Sequence, residues 1–302
     1  MVVDHLKKLI TLPSTPPSFA KAQQICAELA GSHYENFTLV SYLVPHKMRG
    51  HIVALYAFCR VVDNIGDEAP GDRLALLDRF GEELRNAYRG APRHPVMVAL
   101  QKSIEQFNLP EELFCRLIEA NRIDQQKTRY LTFSELLDYC DHSANPVGRL
   151  FLMIFGYQNE KLFSLSDNTC TGLQLTNFWQ DLRRDFDIGR VYLPQQDMER
   201  FGVTEEDLSR NTANDSLREL LRFQVERARD YLASGLPLID HVRGHLRVDI
   251  ALFSRGGLAI LDKIESARYD TLQMRPTLSK QQKIRLFVLT LFPWRWKRWI
   301  GN

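Results

Sequence analysis

No stretch of this chain alternates apolar and polar residues with period two, so nothing in it argues for a half-buried strand. A long apolar run is missing too. The start, Met1-Val2-Val3-Asp4-His5-Leu6-Lys7-Lys8, holds neither a signal-peptide core nor a spanning segment. The five cysteines, Cys26, Cys59, Cys115, Cys140 and Cys170, are odd in number, widely spaced and without a CxxC pair. That excludes a disulfide framework and a thiolate zinc site, and reads as a reduced, cytoplasmic protein whose thiols pack. Excess charge of one sign is also lacking: 39 lysines and arginines stand against 37 acids, which gives no case for a nucleic-acid partner. The phosphate fingerprint of a tightly bound dinucleotide is absent. With no repeat, low-complexity linker or glycine-serine hinge, one domain over residues 1–302 is expected.

What is present is helical periodicity. Residues 1–16 run into Pro13-Ser14-Thr15-Pro16-Pro17 and read as a surface arm with a stop. Ser18 can cap a helix to about Gly31, and a short element near 32–45 breaks at Pro45. Helices are predicted from His46 to near Pro70, at 72–89, at 94–107, and from Pro110, as a first-turn proline, to about 127. Another begins near Thr132 and runs through Phe151-Leu152-Met153-Ile154-Phe155, with a kink at Pro146. The next runs from about Leu165 to Phe186, stops at Gly189 and leads into extended Arg190-Val191-Tyr192-Leu193-Pro194. Further helices are predicted at 204–209, 214–234, 240–270 and 279–291. The fold class is therefore all-α, and 44% apolar content suffices for a large core.

Two of these helices carry ladders of oxygen ligands. Asn177, Asp181 and Asp185 recur at four-residue spacing and share one face, with Gln174 a turn earlier, while Leu175, Phe178, Trp179 and Leu182 suit packing. Far upstream, Asp63 and Asp67 follow the apolar run Ile52-Val53-Ala54-Leu55-Tyr56-Ala57-Phe58-Cys59 and Arg60. A single acidic i,i+4 pair carries little, because composition alone supplies roughly four or five and most are solvated faces. Two ladders continuous with apolar sequence and close to arginine are different, since carboxylates gathered at that density need cations. We expect the two rows to face one another. Ligands that are all oxygen select a hard cation, with Mg2+ the default because it keeps waters and shares phosphate oxygens. Arg60 and Arg190 could bind a diphosphate bidentately. Metal-bound diphosphate is a leaving group, its loss yields a carbocation, and aromatic faces such as Phe37, Tyr56 and Tyr139 could stabilise that cation or simply pack the core.

The combination Asp63-x-x-x-Asp67 after Tyr56-Ala57-Phe58-Cys59-Arg60, then Gln174-x-x-Asn177-x-x-x-Asp181-x-x-x-Asp185 and Gly189-Arg190-Val191-Tyr192-Leu193-Pro194, resembles the squalene and phytoene synthases over roughly residues 30–280. The resemblance implies an isoprenoid (terpenoid) synthase fold, a single helical bundle around a central cavity. It implies several Mg2+ ions held by Asp63 and Asp67 in a first cluster and by Asn177, Asp181 and Asp185 in a second, with the four aspartates catalytic. Phe37, Arg60, Tyr139, Gln174 and Arg275 fall on the family's substrate-pocket positions, and Asn145, Arg190 and Tyr192 are added as substrate contacts. The implied ligand is a prenyl diphosphate, presqualene or farnesyl diphosphate.

Three departures sharpen the resemblance. Ser143-Ala144-Asn145-Pro146-Val147-Gly148 stands where better-known members carry Val-Ala-Gly-Thr-Val-Gly, Gln180 replaces an arginine, and Leu258 sits where a pocket tyrosine is common. These features resemble the branch encoded with bacterial hopanoid genes, which implies ionisation of presqualene diphosphate and capture of the cation by water to give hydroxysqualene, with no NADPH. Asn145 and the carbonyl freed by Pro146 could hold that water, or could only shape the kink. Complete condensation of two farnesyl diphosphates to squalene, dehydrosqualene or a phytoene-type product is the alternative, and a non-catalytic helical scaffold at a membrane surface is the alternative from another class. The tail at 292–302, basic and rich in tryptophan, suits peripheral membrane contact or docking on its own core.

Overall fold

The computed structural model describes residues 12–31 and 44–291. Phe37, the short element at 32–43, most of the N-terminal arm and the tail at 292–302 lie outside the described residues. Among the described residues there are helices and no strand. They are α1 (Phe19–Gly31), α2 (His46–Asp67), α3 (Arg73–Tyr88), α4 (Pro95–Phe107), α5 (Glu111–Gln126), α6 (Phe133–Ser143), α7 (Asn145–Ile154), α8 (Glu160–Asp187), α9 (Gln195–Phe201), α10 (Glu205–Ser209), α11 (Asp215–Gly235), α12 (Leu238–His241), α13 (Gly244–Ser266) and α14 (Lys280–Leu291). None is long and apolar enough to cross a membrane. All five cysteines are free, and Cys115 is exposed rather than packed.

The chain gathers into two compact units, each discontinuous in sequence: residues 1–127 with 146–159, and 128–145 with 160–302. In the first unit α2 is central and packs on α1, α4 and α5, while α3 covers α4 and α5. Its inward face is Ile52, Leu55, Phe58, Val62 and Ile65, all fully or nearly buried, and Phe58 meets Phe114 edge-on at 5.0 Å. Each such side chain contributes roughly 1.5–3 kcal/mol through burial, so the element that carries Asp63 and Asp67 is anchored by its other face. Asp72 caps α3 by accepting from the Ala75 amide at 3.0 Å.

In the second unit α8 packs along α11 and α13, which also pack on each other. Glycines make that approach possible. A Cβ added at Gly235 of α11 would lie 2.1 Å from the Thr169 hydroxyl oxygen, and one at Gly172 of α8 would lie 2.8 Å from the Leu232 backbone nitrogen. Leu175, Trp179 and Leu182 of α8 are buried, as are Leu217, Leu220, Leu221 and Leu232 of α11, on which α8 packs. Asn214 caps α11 through the Leu217 amide at 2.9 Å.

Most helix expectations hold, with physical differences at the ends. Pro110 is the N-cap residue of α5 rather than its first turn. The kink expected at Pro146 is a full break: α6 ends at Ser143, Ala144 adopts φ −121 and ψ −48, and α7 begins at Asn145. α8 starts at Glu160, five residues before Leu165. The 240–270 stretch is interrupted at Val242 and Arg243, with Gly244 at φ 62 admitting the turn into α13. The short helix α9 had no sequence counterpart, while the segment before it is extended as expected and forms an isolated parallel bridge between Val191 and Arg129.

Candidate active site

In the first unit, Arg60, Asp63 and Asp67 ride on the last turns of α2, and the end of that helix is clamped from outside. Arg73 donates to the carbonyls of Gly66 at 3.0 Å, Asp67 at 2.9 Å and Ala69 at 3.0 Å, and Gln125 of α5 donates to the same Gly66 carbonyl at 3.0 Å. A guanidinium on the last carbonyls also suits the negative end of the helix dipole. Gly66 makes room for α5, since a Cβ there would sit 2.1 Å from the Asn121 side-chain oxygen. Asn121 in turn donates to Asp63 at 3.4 Å.

The electrostatics at Asp63 are those of an acid crowded by other acids. Surrounding protein and the neighbouring Asp67 push the Asp63 carboxyl up to about 6; Asp124 adds to the rise, and Asn121 and Arg60 only partly oppose it. Asp63 is nonetheless reached by solvent, which describes an acid set in a crowded recess. Arg60 is 3.8 Å from Glu68, a long ion pair. Asp124 and Asn121, three apart on α5, were missed in the sequence, where NRIDQQ reads as an ordinary solvated helix end.

In the second unit, Asn177 is exposed, Gln174 and Asp185 are half-buried, and Asp181 is buried, all on α8. Arg275 donates from Nε and Nη2 to the two carboxylate oxygens of Asp181, the latter at 2.9 Å, and Arg184 stands at 3.7 Å. The backbone that carries Arg275 is stapled: Gln180 donates to the Pro276 carbonyl at 2.5 Å, and Arg218 donates to the Arg268 carbonyl and to Asp270. Gln180, singled out as a departure, thus positions the arginine beside the second row. The end of α8 is held by Arg183, which donates to the Ser209 and Arg210 carbonyls, and Arg129 pins the Gly189 carbonyl at 2.6 Å while chelating Glu205. Arg190 follows that pinned turn, its amide donating to the Asp185 carbonyl at 2.8 Å.

Tyr139 and Tyr192 are brought together with Tyr130 and Phe178 in one aromatic cluster, Tyr192 stacked on Phe178 at 4.0 Å and Tyr139 5.8 Å from Tyr192. Asn145 is buried, accepts from the Thr171 hydroxyl at 3.0 Å and donates to Asp141 at 3.3 Å. It therefore ties the end of α6 to α8 as well as presenting a polar group. Among the described residues, no three histidine, cysteine or acidic side chains come close enough to cage a metal unaided. The donor set still fits Mg2+, which takes few protein carboxylates and completes its shell with water and phosphate oxygens, and the raised Asp63 carboxyl is the behaviour of a row that a divalent cation would relieve.

Residues 30–282 match the squalene/phytoene synthase family model. The crystal structure of squalene synthase HpnC from Alicyclobacillus acidocaldarius is 45% identical, with a TM-score of 0.80 over 85% of this chain and 97% of that one. A phytoene synthase from Arthrospira platensis is 31% identical over 290 residues, 90% of this chain and 94% of the relative. A dehydrosqualene synthase solved with a ligand is 22% identical with a TM-score of 0.84, a likeness of fold.

Proposed function

Because the chain belongs to the squalene/phytoene synthase family, an isoprenoid-synthase fold of prenyl-transferring enzymes, we propose that it ionises presqualene diphosphate and lets water capture the rearranged cation, giving hydroxysqualene. The observation that carries this reading is the buried Asn145 amide hydrogen-bonded to Thr171 at 3.0 Å, a polar group where better-known members carry small and apolar residues. The 45% identity to a squalene synthase, beside 31% to a phytoene synthase, supports a squalene-type over a phytoene-type reaction.

Members of the family depend on magnesium in general, and we assign Asp63 and Asp67 to one set of ions and Asn177, Asp181 and Asp185 to another. Bound there, the ions would neutralise the diphosphate and stabilise charge that grows as the carbon–oxygen bond breaks. The chain's own residues do the rest. Arg60, Arg190, Arg275 and Gln174 are assigned to the phosphate oxygens. The face of Tyr139 favours a cationic carbon over a neutral one. The polar Asn145 and Thr171 pair holds water toward the cation, so no NADPH is consumed.

The test is a substrate panel: purified protein with Mg2+ and either presqualene diphosphate or farnesyl diphosphate, each with and without NADPH, with the lipids separated by chromatography. Hydroxysqualene from presqualene diphosphate, unchanged by NADPH, is the expected result. Squalene formed only with NADPH, or a phytoene-type hydrocarbon from two prenyl diphosphates, would replace it by the complete condensation. Failure to turn over any of them would favour the scaffold.

A further inference from the structure

We infer that Arg275 is an exchangeable counter-ion that couples metal binding at the second aspartate row to diphosphate binding; this rests on the proposed function. Asp181 is the middle acid of that row, its side chain is only 12% exposed, and both its oxygens accept from one guanidinium. A divalent ion arriving at the same carboxylate meets a positive charge a few ångströms away, so the two cations compete for one site. Arg275 leaves cheaply only when another bidentate anion is on offer, and a diphosphate is that anion.

The local architecture suits such an exchange. Gln180 on the Pro276 carbonyl and Arg218 on Arg268 and Asp270 hold the main chain on either side, so a move of Arg275 is a side-chain move. Its side chain is 30% exposed, which leaves a path toward solvent. Arg184, 69% exposed and 3.7 Å from Asp181, is a second cation on the same face that can follow it to the phosphate oxygens. The outcome is positive coupling in both directions: diphosphate draws Arg275 off Asp181 and opens the ligand, and the metal displaces Arg275 toward the diphosphate. In the resting protein Asp181 is charge-neutralised and takes up little metal.

The experiment measures Mn2+ bound to the full-length protein by equilibrium dialysis, with and without inorganic pyrophosphate at equal concentration in both compartments. In the unaltered chain, pyrophosphate should tighten the second class of Mn2+ sites by on the order of tenfold or more. In Arg275→Gln those sites should bind Mn2+ more tightly without pyrophosphate, and the coupling should shrink toward one. Arg275→Lys, which keeps the charge but not the fork, should fall between the two, and it serves if the glutamine variant does not fold. Unchanged Mn2+ affinity and unchanged coupling in both variants would overturn the exchange while leaving the proposed function standing. If the unaltered chain binds no Mn2+ even with pyrophosphate, the proposed function falls and the exchange with it.

Discussion

Asp63→Asn and Asp181→Asn should each lower turnover of a prenyl diphosphate by at least about a thousandfold, because each removes a carboxylate assigned to a metal that stabilises the leaving group. Their stabilities should move in opposite directions, which separates loss of chemistry from loss of fold. Asp63 has a folded-state carboxyl raised to about 6 from an ordinary value of 3.8, so the native state keeps its proton to higher pH than the unfolded chain. Stability from that group is complete below the ordinary value and is lost as pH rises through about 6. Asparagine removes the cost, so at pH 7.5 without metal this variant should be more stable by about 1 kcal/mol, a figure discounted because solvent reaches the side chain. At pH 4 the difference should vanish. Asp181→Asn instead leaves the Arg275 guanidinium without its charged partner and should lose roughly 1–2 kcal/mol. Urea unfolding at the two pH values beside a turnover assay checks both; either variant turning over at the normal rate would defeat its metal assignment.

A second large effect is expected at Asp249, on α13. Its side chain is fully buried, neither carboxylate oxygen has a hydrogen-bond partner among the described residues, and burial alone lifts its carboxyl to about 7. The sign is again that of a raised acid: the native protein holds the proton, the unfolded chain gives it up near 3.8, and stability falls as pH rises from about 4 to 7. A rise of about three pH units corresponds to roughly 4 kcal/mol at most. Asp249→Asn, of the same shape and without charge, should lack this decline and should be more stable than the parent by a few kcal/mol at pH 8, with little difference at pH 4. Parallel stability profiles in the two proteins would show that the carboxyl finds a partner in solution.

Local signals were the legible part of this molecule. Ser18 announces a helix start because a cap is decided by neighbours three residues on, and the helices expected from 72 and 214 begin there too, where the structure shows Asp72 and Asn214 as caps. The ladder Asn177, Asp181 and Asp185 is legible for the same reason: helical spacing fixes a shared face. Where charge breaks the periodicity the boundaries slip, as at Glu160-Lys161 and in α9, whose seven residues are mostly polar. Arrangements joined only in space were not legible. The pairing of Arg275 with Asp181 spans 94 residues, and Asn121 and Asp124 reach Asp63 from a different helix. The division into two units leaves no linker to read, because residues 146–159 return to the first unit after the chain has left it.

The central claim is that a carbon–oxygen bond ionises and solvent supplies the hydroxyl. It is tested most directly by running the magnesium-dependent reaction on presqualene diphosphate in water enriched in oxygen-18 and weighing the alcohol by mass spectrometry. One oxygen-18 atom per hydroxysqualene is the expected result. An alcohol that keeps the unlabelled ester oxygen would mean cleavage at phosphorus, and would contradict the account.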